Sequence, residues 1–398
     1  MRILFTANPV YSHITPMLPL AVTALRAGHD VVFATGADAV ALPKEAGLVT
    51  LPAGLTLADA RWRYTSAYEP GFLAGLAAEQ RLHHLLRHHL AEVAAPALAD
   101  DAIAFAATCR PDLVIGTPAE LGGRIAASVL GVPHVTHGFG PPDSVATTVI
   151  AQGILGEHCR RRGSELADSR VYLDIWPAAM SASSTSLSTG TRPPANMSAG
   201  LFDVVWPLRP DHVVPTARQR PRPDALASLP YKRSVYVALG TTHSGTPKVL
   251  EKMIEALGSA RLNMLVAIGP GGDLKRFGPL PRHIRIAPSI PQETVLPYCD
   301  AVVCHGGSST VLGALVHAVP LVVVPMAGDS HVIAAQVERA GAGVACASRP
   351  LTADAIRDAF LRIFTEERYR SSTRRIAHEL LDLPRPRSVL ARLEREFT

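Results

Sequence analysis

Cysteine, long apolar runs and paired acids are all scarce in this chain. Its 398 residues hold five cysteines, Cys109, Cys159, Cys299, Cys304 and Cys346. The number is odd and no Cys-x-x-Cys pair occurs. That disfavours a disulfide framework or a zinc site and favours reduced thiols in a cytoplasmic protein. Apolar runs are short and broken by Gly, Pro or charge, so none reaches the roughly 20 residues that span a bilayer. The opening residues 1–7 read as a strand and not as a secretory leader. No Asp-x-Asp pair occurs, and no Gly-x-Gly-x-x-Gly follows the first strand, where the loop reads Asn8-Pro-Val-Tyr-Ser-His-Ile-Thr15. The usual dinucleotide fingerprint is therefore missing from the N-terminal half. Net charge is +5, with one short basic run at Arg160-Arg-Arg162. Scattered charge of this kind suits a solvated surface and an anionic small ligand better than nucleic acid.

Apolar residue types make up 47% of the chain, enough for a large core. The length exceeds one usual core and implies two domains. Residues 1–7 are apolar without alternation, as a strand covered on both faces is. Pro16 opens a helical pattern that closes near Gly28, and a strand follows over 30–34. This βαβ opening requires a parallel sheet. Further strands are expected at 112–116 and 133–137, with a helix over 119–130 and another over 145–166. Residues 55–72 look irregular and carry Trp62, Tyr64, Tyr68 and Phe72, which suit either a pocket lining or a cap on the core. Residues 75–95 read as one helix stopped by Pro96. It holds His83, His84, His88 and His89. Although His84 and His88 have the spacing of a metal pair, no third ligand is evident, and a solvated helix face is the expectation. Residues 181–200 look like loop. Six prolines between Trp206 and Pro230 mark a linker,. A second alternation begins at Ser234.

The richest stretch runs from Ser289 to Gly343. It reads strand (Asp300–Cys304), turn (His305-Gly-Gly-Ser-Ser-Thr310), helix, strand (Leu321–Pro325), loop (Gly328-Asp329-Ser330), helix. Gly306 and Gly307 keep no side chain between a ligand and the backbone. Ser308, Ser309 and Thr310 supply hydroxyls and free N–H groups at a helix start, where the dipole also favours phosphate. His305 stands at the strand's C-terminal edge, where open α/β sheets bind ligands. An ordinary βα turn with a good N-cap fits the same residues.

The ordered set of motifs resembles the GT-B glycosyltransferases of natural-product biosynthesis (family 1-like). It is most similar to the bacterial calicheamicin-type enzymes that decorate antibiotic aglycones. The set comprises Arg2-Ile-Leu-Phe with His13, Arg26-Ala-Gly-His-Asp-Val-Val, Val237-Ala-Leu-Gly-Thr-Thr242, Ile290-Pro-Gln, His305 to Thr310, Pro320 to Pro325 and Ala327-Gly-Asp-Ser330. The resemblance implies an α/β chain of two doubly wound, Rossmann-like domains facing across a cleft. The expected boundaries are 1–206 for the acceptor domain, 207–230 for the linker, 231–370 for the nucleotide-sugar domain and 371–398 for a tail that crosses back to the first domain.

It further implies an inverting transfer of a deoxysugar from a dTDP-sugar (a UDP-sugar being the other option) to a hydroxyl of a hydrophobic secondary metabolite. No cofactor and no metal are expected. His13 would be the general base. His305, Gly307, Ser308, Ser309 and Thr310, with Gly240, Thr241 and Thr242, would hold the diphosphate. Ser289 and Ile290 would flank the pyrimidine, and Asp329 and Ser330 would meet sugar hydroxyls. Trp62, Tyr64, Phe72, His137 and Phe139 are candidates for the acceptor site. The sequence departs from the pattern at four places. Gly116 or Thr117 stands where relatives carry the Asp that orients the histidine, leaving Glu120 as the candidate support. Ser289 replaces an aromatic, Ser309 replaces a glycine, and Ser330 follows Asp329 where many relatives have Gln. Competing readings are a sugar-nucleotide epimerase, a hexosaminyl transferase, or a non-catalytic subunit that activates a partner. A homodimer is left open.

Overall fold

The computed structural model describes residues 1–69, 71–76, 78–142, 146–181, 202–214, 226, 228–240, 247–269, 272–326, 329–348 and 350–398. The described residues fall into two compact units. Unit 1 takes in those within Met1–Trp176, Thr185–His212 and Leu383–Thr398, and unit 2 those within Pro177–Ser184 and Val213–Asp382.

Unit 1 is built on β1 (Arg2–Thr6), β2 (Asp30–Thr35), β3 (Val49–Pro52), β4 (Leu113–Gly116), β5 (His134–His137), β6 (Ser169–Asp174) and β7 (Phe202–Pro207). They lie in the order β3-β2-β1-β4-β5-β6-β7, and every pairing is parallel. Ile3, Leu4 and Phe5 are all but fully buried, as continuous apolar strands between two helical layers must be. On one face Leu4, Ala34 and Val114 pack against Leu98 and Ala102 of the helix Ala95–Ala106 and against Ala126 and Ala127 of the helix Gly122–Leu130. The two helices approach closely at Gly122, where a Cβ would stand 2.5 Å from the Ala95 carbonyl oxygen.

Unit 2 repeats the plan with β8 (Ser234–Ala238), β9 (Asn263–Ala267), β10 (Ile284–Ala287), β11 (Ala301–Cys304), β12 (Leu321–Val323) and β13 (Gly343–Ala345). Their order is β10-β9-β8-β11-β12-β13, again all parallel. Its core joins Val235, Val237, Val303 and Val322 of the sheet to Leu250, Met253, Ile356 and Phe360 of the helices Pro247–Leu257 and Ala353–Thr365. Both sheets reverse direction once, between β1 and β4 and between β8 and β11. In doubly wound sheets the crevice at the C-terminal ends of such strands is the ligand site.

The last helix, Pro386–Phe397, belongs to unit 1 and packs on the helix Leu18–Arg26. Glu394 Oε1 lies 2.7 Å from His29 Nε2, and the Arg392 guanidinium sits 4.0 Å from the centre of the Trp206 ring.

Several elements differ from the sequence reading. Pro96 does not stop a helix. A wide helical turn over Leu85–Ala94 hands on to Ala95–Ala106, with Pro96 in its first turn, where a missing N–H costs nothing. Within the supposedly irregular 55–72, Leu57–Ser66 is helical, capped by Thr56 accepting from Asp59 N. Its exposed, charged face hides the apolar period. Strands β6 and β7 had no sequence signal of their own. Residues 182–200 and the proline run at 215–223 lie outside the described residues. Among those described, no helix is long and apolar enough to cross a membrane.

Candidate active site

In unit 2 the sequence-selected residues come together at the reversal between β8 and β11. His305 directly follows β11 and is 7% exposed. Its imidazole is gripped by two glycines. A Cβ on Gly240 would fall 2.6 Å from His305 Cε1, and one on Gly307 would fall 2.7 Å from the same atom. Gly240 also has φ of 70°, a backbone region that favours glycine. Both turns must therefore stay bare for the ring to lie between them.

Gly307 is the N-cap of the helix Ser308–Val316. The first N–H groups of a helix have no internal partner, and the dipole makes that end positive. Gly306, with φ of 93°, lets the turn press on Ser330, whose carbonyl oxygen would lie 3.2 Å from an added Cβ. Ser330 Oγ accepts from Met326 N at 3.0 Å and so pins the loop that carries Asp329. Burial raises the Asp329 carboxyl above its usual range, while Ser308 donates to it and pulls the other way. Ser309 Oγ is buried without a hydrogen-bond partner, and Thr310 is buried at the start of the same helix. Thr241 and Thr242 lie outside the described residues.

The segment before this helix is tied in by a residue that the sequence reading left unassigned. Gln292 Nε2 donates to the Ser309 carbonyl at 3.2 Å. Ile290 turns its side chain into the core at 8% exposure, and its carbonyl accepts from the buried Tyr236 hydroxyl at 3.4 Å. Ser289 is exposed. Gln292 stood in the Ile-Pro-Gln motif and could have been chosen there. Tyr236 gave no sign, because in sequence it is one more apolar strand residue.

In unit 1 His13 sits in a short helix, Tyr11–Ile14, in the loop after β1. Its ring stacks on Phe139 with centroids 4.2 Å apart and planes 20° from parallel. Nδ1 is buried without a hydrogen-bond partner. Burial lowers the ring's pKa to about 4, so the imidazole is neutral near pH 7. The loop is anchored by Asn8 Nδ2, which donates to the Ala119 carbonyl at 2.7 Å.

Glu120 does not support His13, and that expectation is corrected. Its carboxylate accepts from Gly122 N at 2.6 Å and from Gly123 N at 3.1 Å. It therefore caps the helix Gly122–Leu130, whose first amides need an acceptor. Gly116 cannot be the place of a hidden acid either. A Cβ there would point at Thr6 Oγ1 (2.9 Å) and His134 Nε2 (3.0 Å) inside the unit.

His137 ends β5 fully buried, with Nδ1 2.7 Å from the Gly138 carbonyl and Nε2 unpaired. His212, absent from the sequence reading, is close enough to His137 for its charge to be felt. Burial first, and then His137, lower the His212 pKa to about 3. Tyr64 and Phe72 lie apart from these histidines in the sequence and cluster with Tyr68. Trp62 is 68% exposed and Phe72 42%. Tyr68 stacks on Phe72 at 5.1 Å, Tyr64 meets His89 edge-on at 5.1 Å, and Tyr68 meets His84 edge-on at 5.5 Å. His84 and His88 thus pack partly on rings, while His88 also meets Glu92 at the surface and His83 is exposed. Among the described residues no group of three metal-ligating side chains occurs.

Comparison with known proteins places this chain plainly. The family described as erythromycin biosynthesis protein CIII-like matches twice, its N-terminal domain over residues 23–199 and its C-terminal domain over 251–395. The chain is 34% identical to the elloramycin glycosyltransferase ElmGT of Streptomyces olivaceus, with 100% of this chain and 98% of the relative aligned. It is 28% identical to the TDP-daunosamine transferase DnrS of Streptomyces peucetius, over 99% of this chain and 96% of that one. Among solved structures it is similar to the glycosyltransferase SnogD from Streptomyces nogalater, with a TM-score of 0.74, 27% identity and 100% and 99% of the two chains covered.

Proposed function

The chain belongs to the erythromycin biosynthesis protein CIII-like family of GT-B glycosyltransferases, and from that premise we propose that it is an inverting enzyme with His13 as general base. It transfers a deoxysugar from a dTDP-sugar to a hydroxyl of a hydrophobic aglycone, and no metal takes part. The observation that carries this reading is the gripped imidazole of His305 beside a bare helix N-terminus at the reversal point of unit 2. Such a place suits a diphosphate. DnrS is described as a TDP-daunosamine transferase, which supports the choice of thymidine.

In the reaction the acceptor oxygen forms a bond to the anomeric carbon as the bond to the diphosphate oxygen breaks. The acceptor proton passes to His13. Because Nδ1 is buried, Nε2 is the nitrogen that meets the substrate, and it must arrive unprotonated. Burial, which lowers the ring's pKa, favours this at neutral pH,. Attack on the face opposite the leaving group inverts the anomeric centre. The charge that grows on the diphosphate is met by the helix N-terminus, by His305 and by the hydroxyls of Ser308, Ser309 and Thr310. Asp329 and Ser330 hold sugar hydroxyls, with the Asp329 carboxyl accepting from them. Ser289 and Ile290 line the base, Gly240 with Thr241 and Thr242 completes the diphosphate site, and Phe72, Tyr64 and Trp62 belong to the acceptor side, while the fully buried His137 lies behind it. The absence of any Asp-x-Asp in the sequence supports the metal-free reading.

The test has three parts. Calorimetry with dTDP and UDP, in EDTA, is expected to give micromolar binding that favours dTDP. His13→Ala is expected to lose about 10²–10⁴ in turnover while still binding dTDP. The anomeric proton coupling of the product is expected to report inversion. A fully active His13→Ala enzyme would overturn the base assignment, and a retained configuration would overturn the mechanism.

A further inference from the structure

We propose that Phe139 is a positioning residue for His13, its phenyl face orienting the imidazole in a site where, among the described residues, no carboxylate does so. The inference rests on the reading of His13 as the base and deepens it, and it takes Phe139 out of the simple role of acceptor lining.

A histidine that accepts a proton at Nε2 must carry its hydrogen on Nδ1. The usual device is an acceptor that holds the Nδ1 hydrogen and, with it, the ring plane. Here Nδ1 is buried and has no hydrogen-bond partner. Glu120 is engaged by the amides of Gly122 and Gly123. The ring plane must therefore be set by packing, and the ring stacked on it at 4.2 Å and 20° is Phe139.

Phe139 is itself held on a rigid base. Gly138 N donates to the Leu173 carbonyl at 2.9 Å, which ties the turn to β6. The carbonyl of Gly138 lies 2.7 Å from His137 Nδ1. A Cβ at Gly138 would fall 2.7 Å from the Tyr172 hydroxyl, so the backbone under Phe139 lies flat on that residue and admits only glycine. On the other side, His13 N donates to the Val10 carbonyl at 2.9 Å, and Asn8 bonds the Ala119 carbonyl. Two anchored loops thus meet through one ring pair.

The stack also acts on the chemistry. The face of a phenyl ring is electronegative and attracts a cation above it. His13 is neutral before transfer and becomes imidazolium as it takes the acceptor proton. The attraction is therefore strongest where it assists the reaction, in the transition state. The same ring that fixes the direction of Nε2 stabilises the charge that forms there.

The test compares Phe139→Leu, which keeps bulk and loses the π face, with Phe139→Trp, which keeps the face. Three readouts are taken: kcat and acceptor KM at saturating donor, the His13 titration by NMR of the histidine-labelled protein, and dTDP binding. Phe139→Leu is expected to lower kcat about ten-fold with KM within two-fold. It is also expected to move the His13 titration to lower pH, with dTDP binding and melting temperature unchanged. Phe139→Trp is expected to recover most of kcat. In a His13→Ala background Phe139→Leu should add nothing. An increase in KM with kcat unchanged would make Phe139 acceptor lining and overturn the proposal, as would an unmoved His13 titration. If Phe139→Leu unfolds, the Trp variant decides, since restored folding without restored kcat also overturns it. A failure of the base assignment shows separately, as full activity of His13→Ala alone, while the titration still reports the ring pair.

Discussion

Gln292 reaches across 3.2 Å to donate its side-chain amide to the Ser309 carbonyl. The bond joins the segment that ends β10's loop to the first turn of the helix Ser308–Val316. The two pieces that would meet the base and the diphosphate are thereby fixed relative to one another.

Loss of that tie should be felt as lost affinity. Gln292→Ala is expected to weaken dTDP binding about three- to ten-fold, the worth of one hydrogen bond, with little change in melting temperature. Isothermal calorimetry checks it. Unchanged affinity would mean that the two segments are held together by packing alone.

Glu120 separates stability from chemistry. Glu120→Ala removes the acceptor of two helix amides and is expected to cost about 1–3 kcal/mol in urea denaturation. Glu120→Gln keeps an acceptor oxygen and should retain turnover within a few-fold. If Glu120→Gln loses turnover at full stability, the carboxylate does act on His13.

The glycine grip on His305 admits a double-mutant cycle. The atoms nearest an added Cβ at Gly307 all belong to His305, at 2.7, 2.8 and 3.8 Å. Gly307→Ala alone should lower the melting temperature and weaken dTDP binding at least ten-fold, because overpacking of this kind costs about 1–3 kcal/mol. Adding His305→Ala should restore the melting temperature but not the binding. A melting temperature that stays low in the double variant would place the strain in the backbone.

Acid should loosen the fold through its buried histidines. Burial lowers the pKa of His13, His137 and His317 to about 4 and that of His134 and His212 to about 3. Each of them binds a proton more readily in the unfolded chain, near pH 6.5. Their contribution is complete above about pH 6.5 and is lost as pH falls from there toward 4. Glu120 and Asp329, whose pKa values burial raises, act in the opposite direction, but the lowered histidines outnumber them. Urea midpoints at pH 7.5, 6.0 and 5.0 should fall in that order with a constant slope. A flat series would show the imidazoles to be solvated.

The doubly wound plan was readable because it rests on contiguous signals. Strands such as Arg2–Thr6, with Ile3 to Phe5 at its heart, and Ala301–Cys304 rest on short apolar runs, and the turn after Cys304 combines glycines with helix-start residues within six positions. The turn was therefore legible with its neighbours. What escaped the reading depends on contacts that no contiguous pattern announces. The commitment of Glu120 to the helix Gly122–Leu130 was hidden because the family comparison offered it another partner. The pairing of His13 with Phe139 joins positions 126 residues apart, counting from 13 to 139, and no local pattern encodes it. The strands β6 and β7 were missed for a related reason. Ser169, Arg170 and Asp174 interrupt one and Asp203 the other, so only their place at the end of the sheet makes them strands. Pro96 misled because its effect depends on whether it falls in the first turn of a helix or in its middle.

The docking of Pro386–Phe397 on unit 1 has a consequence for recombining this enzyme with its relatives. A chimera made with one crossover near residue 213 would import a foreign final helix along with the foreign unit 2. That helix would then have to seat on this chain's Leu18–Arg26, with partners for His29 and Trp206 that Glu394 and Arg392 now supply. Two crossovers, near 213 and near 382, leave the native helix on its own unit and exchange the larger part of unit 2, with Pro177–Ser184 remaining native beneath Arg339 and Glu379. The module to trade is thus an internal segment of the gene and not its second half.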